Sequence, residues 1–178
     1  MVVADSGFSA LDFLAAVSRY ATVIIRLRLD AVLYAPAPPR QPGQKGRPRH
    51  KGKRLTALSG IVADPATVWH AVTVTHWYGE PTRQVDIVSG TAVCYHGGSS
   101  VVPIRWVLMR DLLGHFDPRA FLCTEQNTDP SQILDWFVLR WQAEVTFEAP
   151  RSLSSHPKTK DSKNSTCLRV SQNIQFDL

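Results

Sequence analysis

Residues 1–29 read MVVADSGFSALDFLAAVSRYATVIIRLRL, and two changes of periodicity inside that stretch decide the fold. Met1-Val-Val-Ala-Asp5 has the composition of the last residues of a buried strand, and Ser6-Gly7 ends it. Ser9 and Asp12 stand at the spacing of a capping pair, so a helix is expected to open there and run to about Tyr20. Leu11, Leu14, Ala15 and Val17 recur at helical spacing, which turns one face of that helix towards a sheet. Ala21 to Leu29 is β-branched and apolar, then alternates Arg26 and Arg28 with Ile25, Leu27 and Leu29, the pattern of a second strand with one polar face. A strand end at the very start of a chain has no neighbours of its own to pair with, so the start of this sequence reads as internal to a longer one.

Outward from this unit the composition shifts. Ala35 to Arg54 is rich in proline, glycine and basic residues and cannot build a core, which predicts an exposed loop that is disordered until a partner orders it. Arg40, Lys45, Arg47, Arg49, Lys51, Lys53 and Arg54 place seven positive charges in fifteen residues without one acid, on a chain of net charge +5. Such a cluster on an otherwise near-neutral protein marks a site for a polyanion such as DNA, and an idle solvated loop is the other reading. From Val68 strands follow one another: Val68 to Thr75, Arg83 to Ile87, Thr91 to Tyr95, Ile104 to Arg110 and Ala120 to Thr124. Gly79-Glu-Pro81, Ser89-Gly90, Gly97-Gly98 and Leu113-Gly114 punctuate this β-rich subdomain as turns.

Asp129-Pro130 then opens a helix, with Asp as N-cap, Pro at the first helical position and Gln132 placed to close a capping box. It is expected over 130–149, where Pro150 ends or kinks it. Residues 152–178, rich in serine and lysine at their start, read as a disordered tail. On the helix Phe137, Arg140, Glu144 and Arg151 fall within one sector of about 60°. Leu134, Val138, Trp141 and Val145 form the adjacent apolar stripe, which packs on the sheet and fixes where Glu144 points. By spacing alone Arg140 and Glu144 are first an ordinary i,i+4 ion pair, worth roughly 0.3 kcal/mol on a solvated face.

The order Phe137, Arg140, Glu144, Arg151 resembles the Tyr-Arg-Glu-Lys signature of a large group of bacterial insertion-sequence transposases, with Phe for Tyr and Arg for Lys. The opening Val2-Val3-Ala4-Asp5-Ser6-Gly7-Phe8 is similar to the strand end bearing that group's second catalytic aspartate. A β-rich insertion between aspartate and glutamate is a further trait of the group, and here it would fill residues 30–128. The resemblance covers residues 1–149. It implies an α/β (α+β) fold, a partial RNase H-like catalytic core formed by residues 1–29 and 129–151. It also implies a DDE-type endonuclease and strand-transfer enzyme acting on transposon ends and target DNA, in the cytoplasm and associated with the nucleoid. A homodimer or an intact transposase is the implied protein partner.

Two Mg²⁺ or Mn²⁺ ions and no small-molecule cofactor belong to that implied activity. Carboxylates suit such ions, and a metal pair about 3.5–4 Å apart stabilises both the entering and the leaving oxygen. In the implied roles Asp5 ligates one metal and Glu144 the other. Arg140 contacts DNA phosphate or braces the glutamate, Phe137 supports DNA near the cut, and Arg151 stands for the signature's cation. The group's first catalytic aspartate sits on an earlier strand without a counterpart in this sequence, so the chain is expected to be inactive alone. The alternative is a non-catalytic DNA-binding remnant acting through the basic loop.

Other features exclude more than they assign. With 44% hydrophobic and 20% charged residues, the chain has the composition of an ordinary globular domain. Its longest apolar run, Ala21 to Ile25, falls far short of the roughly 20 residues that span a bilayer, and no basic stretch precedes the first apolar residues. No membrane role is expected. Cys94, Cys123 and Cys167 are odd in number and widely spaced, which signals neither a disulfide framework nor zinc. Trp69, Trp77, Trp106 and Trp136 are read as packing residues, and the histidines show no pair at metal-ligand spacing.

Overall fold

The computed structural model describes residues 1–4, 10–40, 42–43, 45–75, 77 and 80–140. Strand β1 (Val2–Ala4) and strand β2 (Val23–Leu27) are parallel neighbours joined through helix α1 (Leu11–Val17), so the strand–helix–strand unit of residues 1–29 is present. The start of α1 differs from expectation. Ala10 occupies its N-cap with no side-chain bond, and the Asp12 carboxylate instead accepts the Ser100 N–H at 3.2 Å.

Next in the chain come β3 (Leu33–Tyr34), α2 (Leu58–Ala63), β4 (His70–Thr75), β5 (Thr82–Cys94), β6 (Val102–Asp111), β7 (Arg119–Cys123) and helix α3 over residues 130–140. All seven strands join one sheet in the order β1-β2-β7-β6-β5-β3, with β4 pairing the first half of β5 and β3 its last two residues. The strands of residues 30–128 thus extend the sheet begun by β1 and β2, because β7 pairs β2 antiparallel from Ile24↔Cys123 to Leu27↔Ala120. The mixed α/β class expected from the sequence is the observed one.

One expected turn is absent. Ser89-Gly90 lies inside a single 13-residue strand, where the two segments Arg83 to Ile87 and Thr91 to Tyr95 were expected to be separate. Gly90 is there for space: a Cβ on it would sit 2.8 Å from Cζ2 of Trp106, its cross-strand partner. A glycine in a strand interior marks a close approach as often as a bend.

Side chains alternate between two cores, as a pleated strand requires. Val23 and Ile25, Ala120 and Leu122, and Ile104, Trp106 and Leu108 pack on one face with Leu14 of α1 and Leu58 of α2. Ile24, Phe121 and Cys123, Val107 and Met109 pack on the other with Ile133, Leu134, Phe137 and Val138 of α3. The result is a sheet between two helical layers. Asp129 caps the N-terminus of α3, its carboxylate accepting the Ser131 N–H at 2.8 Å and the Gln132 N–H at 3.4 Å, while among the described residues no Gln132 side-chain bond closes the expected capping box. Arg105 fixes the turn before it by donating to the carbonyls of Gln126 and Thr128, and Asp135 ties α3 to β4 by accepting the N–H and hydroxyl of Thr75.

Candidate functional site

Strand β1 and helix α3, the described elements nearest in sequence to Asp5 and Glu144, share one core. Val3 of β1 packs with the cluster containing Ile133, Leu134, Phe137 and Val138 of α3, whereas Ala4 packs on the opposite face. In open α/β sheets ligands collect beyond the carboxyl ends of parallel strands, and β1 reaches its carboxyl end at Ala4. Asp5, Glu144 and Arg151 lie outside the described residues. Among the described residues, no group of three or more His, Cys, Asp or Glu is placed to hold a metal.

Phe137 and Arg140 are brought together, the guanidinium carbon lying 5.6 Å from the ring centroid. Phe137 itself is only 8% exposed, with its ring 4.5 Å from that of Phe121. Its ring seats α3 on the sheet.

The basic loop is more ordered at its base than its composition suggests. Ala35 donates to the Lys53 carbonyl at 2.8 Å, Gly52 to Ala35 at 2.8 Å and Leu55 to Leu33 at 2.9 Å, so the two arms close like a hairpin, with Arg54 bridging Tyr34. Gly52 has no room for a side chain, since a Cβ would collide with the Pro36 carbonyl oxygen and come within 3.0 Å of that of Ala35. The Lys51 ammonium lies 3.6 Å from the centroid of Tyr34 and 5.1 Å from that of Tyr95, a cation–π contact that pins the second arm to the sheet edge. His50 stacks on Tyr95 with ring centroids 5.8 Å apart.

Beyond this stem the loop is exposed. Arg40 donates to the Gly46 carbonyl at 3.2 Å, and Arg40, Lys45, Arg47 and Arg49 line a cleft of about 570 Å³ with Pro38, Pro39 and Pro48. Among the described residues no acidic side chain pairs with Lys45, Arg47, Arg49, Lys51, Lys53 or Arg54. Four prolines or glycines among the lining residues stiffen or tighten the backbone, and the charges converge on a common space. Such a surface suits a chain of phosphates.

The remaining charged cluster is structural. The Asp111 carboxylate, with no side-chain exposure, accepts from Arg83 at 2.9 Å and 3.3 Å and from the His115 N–H at 2.8 Å. Burial pushes that carboxyl up. Hydrogen bonds from Arg83, His115 and Leu113, together with the Arg83 charge, outweigh burial and hold it below the ordinary carboxylate value. Arg110 pairs with Asp86 at 2.9 Å and lies over Trp69 at 4.2 Å. Trp77 and Trp106 are buried, in keeping with the packing role read for the tryptophans. Cys94 and Cys123 are buried free thiols, and burial raises Cys94 to about 11, which leaves it unreactive near neutral pH. No helix of the described residues is long and apolar enough to cross a membrane.

Sequence reasoning did not single out Tyr34, His50, Tyr95 or the serines that follow Gly97-Gly98. Their only local signal was that Gly-Gly forms a turn; it is the closure of the basic loop onto the sheet edge that gathers them. The family model described as DDE superfamily endonuclease matches residues 1–92, a span that runs from β1 through the basic loop into β5. No curated protein and no solved structure gives a match.

Proposed function

The chain belongs to the DDE superfamily endonucleases, and from that premise we propose that it is the DNA-cleaving and strand-transferring part of a bacterial insertion-sequence transposase, with Asp5 and Glu144 as metal ligands. The observation that carries this reading is the shared core of β1 and α3. Asp5 directly follows Ala4 and has the parity of Val3, the β1 residue that packs with α3. Glu144 follows Phe137, which seats α3, by seven residues, or about two helical turns. The proposal puts both carboxylates, which lie outside the described residues, on one face of the sheet.

The donor set fits Mg²⁺ or Mn²⁺, because carboxylate oxygens are the hard ligands these ions take. When bound, such ions lower the pKa of water and polarise the scissile phosphate. The protein's own share is to hold the carboxylates on rigid elements, to set Arg140 against the phosphate or the glutamate, and to grip the duplex through the basic loop. Transposon ends and target DNA are the proposed substrates. The signature-group assignment rests on Phe137, Arg140, Glu144 and Arg151 and lies outside the span of the family match.

Nicking of supercoiled plasmid in Mg²⁺ or Mn²⁺ tests the assignment. The resemblance requires a third carboxylate, and the proposal assigns none within this chain, so no nicking by the chain alone is the expected result. Nicking that disappears in Glu144→Gln and in Asp5→Asn would overturn the expected inactivity and keep the site. Nicking that persists in both variants contradicts the site itself.

A second reading has its own observation, the exposed basic loop on an ordered stem. In that reading the chain is a non-catalytic module that holds DNA. Neutralising Lys45, Arg47, Arg49 and Lys51 together should then abolish salt-sensitive binding.

A further inference from the structure

A second cleft adjoins the basic loop and shares Arg47 with it. It measures about 460 Å³ and is lined by Arg47, His50, Tyr95, Gly98, Ser99 and Ser100, together with Val101. We propose that this cleft binds one phosphodiester group of a DNA strand that continues from the basic loop. The proposal rests on the reading of the chain as a DNA-handling protein and extends it to residues outside the loop.

The chemistry of the lining is that of a phosphate site. Arg47 supplies a planar fork of N–H donors, and Ser99 and Ser100 supply two hydroxyls. The turn that carries them runs through Gly97 and Gly98, with Gly98 at φ +89°, and a Cβ at either glycine would meet only open space. The hydroxyls are therefore reachable from outside without a side chain in the way, while the Ser99 and Ser100 N–H groups donate to the His96 carbonyl and to Asp12. Sequence-independent contacts to DNA are made by Arg and Ser side chains of this kind.

The cleft is also fixed in place. His50 stacks on Tyr95 and Lys51 lies over Tyr34 and Tyr95, so the arm following Arg47 is held against the strand end that enters the 97–100 turn. From the other side Asp12 holds the Ser100 N–H. That carboxylate borders the turn and offsets part of the positive charge, while Arg40, Lys45 and Arg49 in the adjoining cleft restore it. Groups held before the ligand arrives lose less freedom on binding. The Asp12 contact also links the cleft to the first turn of α1.

The test is fluorescence anisotropy of a short labelled duplex of arbitrary sequence with the full chain, over a range of salt. Arg47→Gln should weaken binding about tenfold and reduce the log–log salt slope by about one. The pair Ser99→Ala and Ser100→Ala should weaken it about three- to tenfold with the slope unchanged, because a hydroxyl carries no charge. If all three groups hold one phosphate, adding the serine changes to Arg47→Gln costs less than their separate effects multiplied together. Serine variants that bind like the parent, while Lys45→Gln and Arg49→Gln weaken binding, would reject the cleft and leave the loop reading standing. A parent chain without salt-dependent DNA binding would sink both. Unchanged thermal midpoints of the surface variants separate lost binding from lost folding.

Discussion

Phe121→Ala is expected to destabilise the fold by roughly 3–5 kcal/mol, the usual cost of emptying a buried aromatic site. For a chain of this size that is a fall in Tm of roughly 10 °C. Phe121 is 2% exposed, and its ring meets Phe137 across the interface between β7 and α3. The cost should be local before it is global. Amide exchange in residues 133–138 should accelerate more than in Leu108→Ala, which empties the opposite core beneath α1 and α2. Equal acceleration of α3 in the two variants would mean that the helix is not seated through Phe121, and the support that this seating lends to the proposed role of Glu144 would fail with it.

Asp111→Asn is the second large effect. Removing one partner of a buried ion pair leaves the other charge uncompensated, and here about 3 kcal/mol is expected. The low end of the known range applies because Arg83, 11% exposed, keeps Glu80 at 3.1 Å and His115 is open to water. The pH dependence carries the sign. Since the Asp111 carboxyl is held below its ordinary value, its contribution is present above about pH 4 and fades as the pH falls through the lower folded value. The parent should therefore lose stability on acidification more steeply than Asp111→Asn, in urea melts at successive pH values. Parallel losses would show that the Arg83–Asp111 pair adds nothing to folding.

Much of the scaffold was legible because local rules agree with the fold. The turn from strand to helix to strand in residues 1–29 follows from a change in period, and Asp129-Pro130 announces α3 by capping chemistry that the structure reproduces. What was not legible depends on neighbours distant in sequence. Ser89-Gly90 looks like a turn until Trp106 is placed across from it. β3 and α2 are too short to show a period, and they form because Leu33 and Leu58 fill the core beside Ala92 and Ile104. Asp12 looks like a capping residue until the Ser100 N–H arrives. The same holds for the candidate site. Its charges were visible in residues 40–54, whereas the pinning of Lys51 and His50 against Tyr34 and Tyr95 required the hairpin stem. Phe137, read as a DNA-facing aromatic from its signature position, has a partner in Phe121 that no local pattern indicates.

Asp5 and Glu144 are proposed to serve one metal-binding face shared by β1 and α3. Titrating Mn²⁺ into the isotopically labelled full chain tests it most directly, because the paramagnetic ion broadens amide signals only in its own vicinity. Selective broadening of Val3 and Ala4 at the end of β1 together with Arg140 on α3 is expected, lost in both Asp5→Asn and Glu144→Gln. Broadening confined to other parts of the chain, or unchanged in those two variants, would contradict it.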